Sequence, residues 1–265
     1  MVEPLAAWPR PYYQPGAGDA LIFFVVFGRF GDIGPVSRSQ YRCDGIPDSL
    51  SVTKCGPDSH ADEVNRFREG PMWDLAKRED QGISDEISRA RECIVIRGEV
   101  PDPSELNYLR DVVGFITYLL DNGGIAVYDP QRFKYWSASE WREKLFDIGD
   151  AAPLAHTIIL FSDEGDGTKW FHTRGLRKFG RADLSVHHVP SDREPAVQDL
   201  LNRFIVFQAE GGVIADGQEI KMKSLPAGLR CYVTGDLDDP DFNNIHVEIG
   251  VPGSTGAFGF KEALE

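Results

Sequence analysis

The sequence predicts an α+β protein built on a mixed, largely antiparallel β-sheet packed with several amphipathic helices. Two observations carry this. Apolar strand-like runs alternate with helical periodicities through the middle of the chain. Toward the end, turn-rich joints connect short runs in the manner of hairpins, first at Asp163-Glu164-Gly165-Asp166-Gly167. With 265 residues the chain lies near the roughly 250–300 at which single cores stop growing. One compact unit over 1–265 is expected, open to division into packed halves of about 1–150 and 151–265.

Residues 1–19 hold four prolines, two glycines and Trp8, Tyr12 and Tyr13, which suggests an irregular but ordered arm. Leu21 to Phe30, bounded by Gly18 and Gly31, reads as a buried strand, and Leu50, Val52 and Cys55 allow a second. Between Ala61 and Glu92, Gly70-Pro71 must interrupt the helix formers. The expectation is one short helix before that pair, one from Met72 to about Glu79, and a third with Ile83, Ile87 and Ala90 on one face. Cys93 to Arg97 is a strand. Asp102-Pro103-Ser104-Glu105 has the form of a capping box, opening a helix with Leu106, Leu109, Val113, Ile116 and Leu120 facing the core. Asp121-Asn122-Gly123-Gly124 stops it, and Ile125 to Tyr128 is the next strand.

Ser137-Ala138-Ser139-Glu140 opens a shorter helix through Trp141 and Leu145. His156 to Phe161, Lys169 to Thr173 and 183–189 read as strands. Ser191-Asp192-Arg193-Glu194 resembles a third capping box, before Val197, Leu200, Leu201, Phe204 and Phe207 at helical spacing and a stop at Gly211-Gly212. Strands are expected near 213–222, 229–233 and 245–249. The strand-helix-strand stretches around 93–128 and 183–220 invite the idea of an old duplication.

Against 28 Lys+Arg stand 42 Asp+Glu, a formal net charge of −14, and phosphate contacts need the opposite balance, so a nucleic-acid binder is not expected. The longest apolar run, Ala20 to Phe27, is too short to span a membrane, which takes about 20 residues. It also lacks a basic region before it, so a cytoplasmic protein without membrane contact is expected. Cys43, Cys55, Cys93 and Cys231 form no C-x-x-C pair, and Cys93 and Cys231 read as small buried hydrophobes.

No G-x-S-x-G, P-loop or G-x-G-x-x-G turn is present, and no cofactor is expected. The stretch from Lys169 to Arg193 carries six Lys/Arg against two Asp/Glu, a local reversal of charge able to attract an anionic ligand or an acidic partner. His172, Arg174, Lys178 and Asp183 are its candidate binding residues. The plainer reading is that Gly175 and Gly180 shape a tight connection and the cations keep a surface wet. His172, His187 and His188 with Asp163 or Asp166 have the right donors for a metal, but alternation along a strand would send His187 and His188 to opposite faces, so no metal is expected. Asp236-Leu237-Asp238-Asp239-Pro240-Asp241 lacks the glycine and terminal Glu of a calcium loop and reads as an acidic turn.

At Thr173-Arg174-Gly175-Leu176, Lys178-Phe179-Gly180 and Asp183-Leu184 the sequence resembles a bacterial family known as a domain of unknown function, with its T-x-G-L element, K-x-G turn and acidic-Leu strand opening. Gly123-Gly124-Ile125-Ala126-Val127-Tyr128, Gly211-Gly212 and Asp216-Gly217 extend the similarity over roughly residues 90 to 250. The resemblance implies a bacterial source and a fold, and brings no activity with it. The functional expectation is therefore a non-enzymatic binding or interaction protein that uses 169–181 to meet a protein partner. The alternative is a hydrolase or transferase acting on an anionic small molecule, with His172 as acid/base and Arg174 and Lys178 holding the anion.

Overall fold

A computed structural model describes residues 4–32, 34–165, 167–239 and 241–250. The fold is α+β, but its strands divide between two five-stranded sheets rather than joining one. The chain likewise divides into two compact units, Met1–Pro9 with Leu21–Ala152 and Arg10–Ala20 with Pro153–Glu265.

The first unit contains β1 (Ala20–Gly28), α1 (Arg38–Tyr41), β2 (Leu50–Cys55), α2 (Ala61–Arg66), α3 (Pro71–Glu79), α4 (Gln81–Arg89), β3 (Glu92–Val100), α5 (Asn107–Asp121), β4 (Gly124–Asp129), β5 (Lys134–Ser137) and α6 (Ala138–Trp141), which runs on as a π-helical turn over Arg142–Phe146. The sheet order is β2-β3-β1-β4-β5, with β2/β3, β1/β4 and β4/β5 antiparallel. Alternation along β1 sends Val25 and Phe27 toward Val64, Trp73, Ile83 and Ile87 of α2–α4. The intervening Phe24 meets Trp141 edge-on at 5.6 Å, and the Trp141 indole donates to Thr117 Oγ1 of α5 at 3.1 Å. Pro71 stands in the first turn of α3, where its missing N–H costs nothing. The Ser137–Glu140 capping box forms in full.

The expected box at Asp102 does not form: Asp102 has φ 21° and α5 begins only at Asn107. The N-terminal arm takes its place. Pro9 bridges Glu105, Leu106 N donates to Trp8 O at 2.8 Å, and Asn107 Oδ1 accepts from Trp8 N at 2.9 Å. The strand β5, four residues long, is an addition to the elements that the sequence predicts.

The second unit contains α7 (Pro153–His156), β6 (Ile158–Asp163), β7 (Thr168–Arg174), a 3₁₀ turn (Leu176–Phe179), β8 (Asp183–Pro190), α8 (Glu194–Ala209), β9 (Arg230–Thr234) and β10 (His246–Gly250). Its sheet order is β6-β7-β8-β10-β9, antiparallel except for β8/β10. The turn before α8 is not a capping box: Arg193 is the N-cap without a side-chain bond, because Arg193 N donates to Pro190 O to close a β-turn that holds Ser191 and Asp192. The strand expected at 213–222 is reduced to one bridge, Glu219 to Arg230. Asp166, Pro240 and 251–265 lie outside the described residues.

Candidate functional site

The connection from β7 to β8 turns twice through glycine. Gly175 (φ 107°) would place a Cβ 2.5 Å from His156 O, and Gly180 (φ 60°) would place one 2.3 Å from Gly18 O, so only hydrogen fits at either. The 3₁₀ turn between them aims Lys178 inward, where its Nζ donates to His156 O at 2.8 Å and is fully buried. Arg181 is also buried and donates to Gly212 O (3.1 Å), Gly211 O (2.8 Å) and Gly180 O (2.8 Å). Arg10 donates to Ala209 O (3.0 Å), Gln208 O (3.1 Å) and Phe179 O (2.8 Å).

Of these carbonyls, Gln208 O and Ala209 O stand in the last turn of α8, where onward intrahelical donors run out and cations suit the negative end of a helix. The basic stretch is therefore not a wetted surface at Lys178 and Arg181. Both are interior groups that hold chain ends together.

Asp183 is buried at the start of β8. It accepts from Thr173 Oγ1 (2.9 Å), Asn244 Nδ2 (2.8 Å) and Leu176 N (3.4 Å). Burial pushes its carboxyl up to about 6, against the pull of those bonds and of Arg174.

His172 and Arg174 lie elsewhere, on a face set by strand register. One row crosses all five strands as Leu160, His172, Ser185, Glu248 and Tyr232. The outer four members of the neighbouring row are Ile158, Arg174, His246 and Thr234, with Asp183 beside His246. Trp170, two residues before His172, is stacked between imidazoles, His172 at 4.2 Å and His187 at 4.9 Å, and its indole donates to Ser185 Oγ at 2.9 Å. Phe242 stacks on His246 at 4.0 Å, and the Arg174 guanidinium lies 4.9 Å from the Phe242 ring centre.

Carboxylates ring this cluster. His187 Nδ1 is 2.7 Å from Glu164 Oε1, His246 Nε2 is 3.4 Å from Glu248 Oε1, and His246 Nδ1 is 3.9 Å from Asp239 Oδ2. Burial opposes ionisation of Glu248, but hydrogen bonds from His246 and Ser185 and the nearby imidazoles outweigh it, and its pKa lies below the usual glutamate value. Burial, with Arg174 and His187 beside it, holds His172 down to about 4, so its ring is neutral at pH 7. Among the described residues, His172 Nδ1 and Glu248 Oε2 are buried without a hydrogen-bond partner.

His187 and His188 do not diverge as strand alternation predicts. The ladder slips between Lys169 and Phe171, His188 takes φ 54°, and both histidines reach Glu164, His188 through its backbone N at 2.6 Å. A β-bulge brings the His187 ring and the His188 backbone N–H to one carboxylate. Even so, among the described residues no three His, Cys, Asp or Glu side chains are grouped to hold a metal ion.

The four candidate residues thus separate. His172 and Arg174 share the face, Asp183 anchors its edge through Thr173 and Asn244, and Lys178 belongs to the connection. Arg174 feels Asp183, Asp241 and Asp239, so no cradle for an anion forms from Arg174 and Lys178 together. Sequence reasoning passed over Trp170, Glu164, Phe242, His246 and Glu248. The two-residue spacing of Trp170, His172 and Arg174 in a strand is the signal that points to Trp170. Among the described residues no helix is long and apolar enough to cross a membrane. Compared with family models, curated proteins and solved structures, the chain has no match in any of the three.

Proposed function

We propose that the protein is a non-enzymatic binding protein, and that its second unit receives a positively charged N–H group of its partner on the imidazole and carboxylate face of the sheet. The observation that carries this is the pair of buried acceptors in one row, His172 Nδ1 and Glu248 Oε2, neither met by a donor among the described residues. A buried acceptor left without a donor costs about 1–3 kcal/mol, which a ligand that supplies the donor recovers. Glu248 is ionised at pH 7 and accepts, and the neutral His172 ring accepts at Nδ1 in its Nε2–H tautomer.

The surrounding charge has the same sense. Glu164 stands beside His187, Glu248 beside His246, and Asp239 and Asp241 act on Arg174, in a chain of net charge −14 that draws cations toward it. The reading favours an arginine or lysine side chain of a protein partner. It reverses the sign of ligand expected from the basic stretch, whose cations at Lys178 and Arg181 face protein carbonyls.

The test is a titration with an arginine-containing peptide and with spermidine, followed by the NMR signals of the His172, His187 and His246 imidazoles. Saturable shifts that disappear in Glu248→Gln are expected. Absence of a saturable shift with either probe removes the reading.

A further inference from the structure

The first unit contains a cleft of about 600 Å³, within the usual range of small-ligand sites. It is formed where β1 ends, where α4 passes into β3 and where β4 begins, and Arg29, Arg89 and Arg91 line it. Among the described residues none of these three guanidiniums has a hydrogen bond or an ion pair, whereas Arg38, Lys54, Arg66, Lys77, Arg110 and Arg142 of the same unit all do. Arg29 acts electrostatically on Glu92, whereas Arg89 and Arg91 line the concavity with no partner among the described residues.

The neighbouring groups do not account for them. A basic residue in the last turn of a helix often serves the terminal carbonyls, but Ala90 O, at the end of α4, already accepts from Arg68 Nη2. Two acids share the lining, Glu86 and Glu92. Glu92 is taken up by Lys54 at 3.2 Å and by Phe30 N at 2.7 Å, which leaves the cleft net positive. Ala90 and Ile125 give it an apolar wall.

We propose that this cleft binds a small organic phosphate, the guanidiniums holding the phosphoryl oxygens and the wall of Ala90 and Ile125 taking the organic body. Guanidinium forks match tetrahedral oxyanions with paired N–H donors, and these bonds are stronger than neutral ones. The proposal is independent of the cation-binding face, which lies in the other unit and uses other residues.

Calorimetric titration of the full chain with inorganic pyrophosphate and with ADP, in 50 mM and 200 mM salt, tests it. Both probes should bind saturably and more weakly at the higher salt, ADP the more tightly. The double variant Arg89→Gln/Arg91→Gln, both exposed positions, should weaken ADP at least tenfold with an unchanged melting curve, while Glu248→Gln leaves it unaltered. Failure of both probes to saturate, or unchanged affinity in the double variant, overturns the site. Equal affinity for the two probes overturns the role of the apolar wall.

Discussion

His172 and Asp183 are pushed in opposite directions by the same cause, loss of water. The histidine falls from 6.5 to about 4 and the aspartate rises from 3.8 to about 6. Between pH 6.5 and 4 the unfolded chain binds the extra proton at His172, so acidification there lowers stability. Between pH 6 and 3.8 the folded chain binds the extra proton at Asp183, so acidification raises it. Each contribution is on the order of 3 kcal/mol, and the two oppose over the same window. In His172→Phe, which keeps a ring against Trp170, urea unfolding measured in pH steps should lose less stability, or gain more, than the parent on acidification from pH 6 to 4. Parallel curves for the two proteins would refute the assignment. Gly180→Ala must displace Gly18 and should cost more than 2 kcal/mol. Gly217→Ala, also at positive φ but in open space, should cost about 1 by the same denaturation assay. At this scale the sequence displayed the residues of interest but not their surroundings. Lys178 and Arg174 look alike in a charge count, and only the 3₁₀ turn sends one inward.

Helix α8 ends on carbonyls held by two arginines from distant parts of the chain, Arg10 and Arg181. Removing either leaves buried acceptors unmet, so Arg10→Ala and Arg181→Ala should each cost about 3 kcal/mol, and the double variant should cost less than their sum because they share one helix end. A double-mutant cycle by chemical unfolding measures this. In the first unit, Thr117→Val strips the buried Trp141 indole of its acceptor and should cost about 1–3 kcal/mol by the same assay. Elements with strong periodicity or a breaker are legible in the sequence: α3 starts at the Gly70-Pro71 breaker, α4 buries Ile83 and Ile87, and β1 follows its apolar run. The starts of α5 and α8 are not, because at α5 a long-range partner, Trp8, and at α8 a turn closed by Pro190 override the local capping signal. The His187–His188 bulge is likewise a property of strand pairing, which no single strand reveals.

At the scale of the molecule, the expected α+β class is observed, while the division of strands between two sheets follows from pairing across the chain rather than from any local run. The proposed face in the second unit takes His172 and His187 from the basic stretch but not its Lys178 and Arg181, since cation counts along a chain do not distinguish an interior donor from a solvent-facing one. The second unit is discontinuous, drawing Arg10–Ala20 from one end of the chain and Pro153 onward from the other. A fragment 153–265 should accordingly melt below the second unit in the full chain and be stabilised by a synthetic peptide of residues 10–20, read by its thermal midpoint. A midpoint unmoved by the peptide would show that Arg10 and Tyr12 contribute nothing there. The Arg10 to Ala209 bond joins residues 199 apart in sequence. During synthesis this strap is therefore made well before its partner and must wait until Ala209 has emerged. The first unit already has all its residues by then, so it can be complete while the second is still held open on the ribosome.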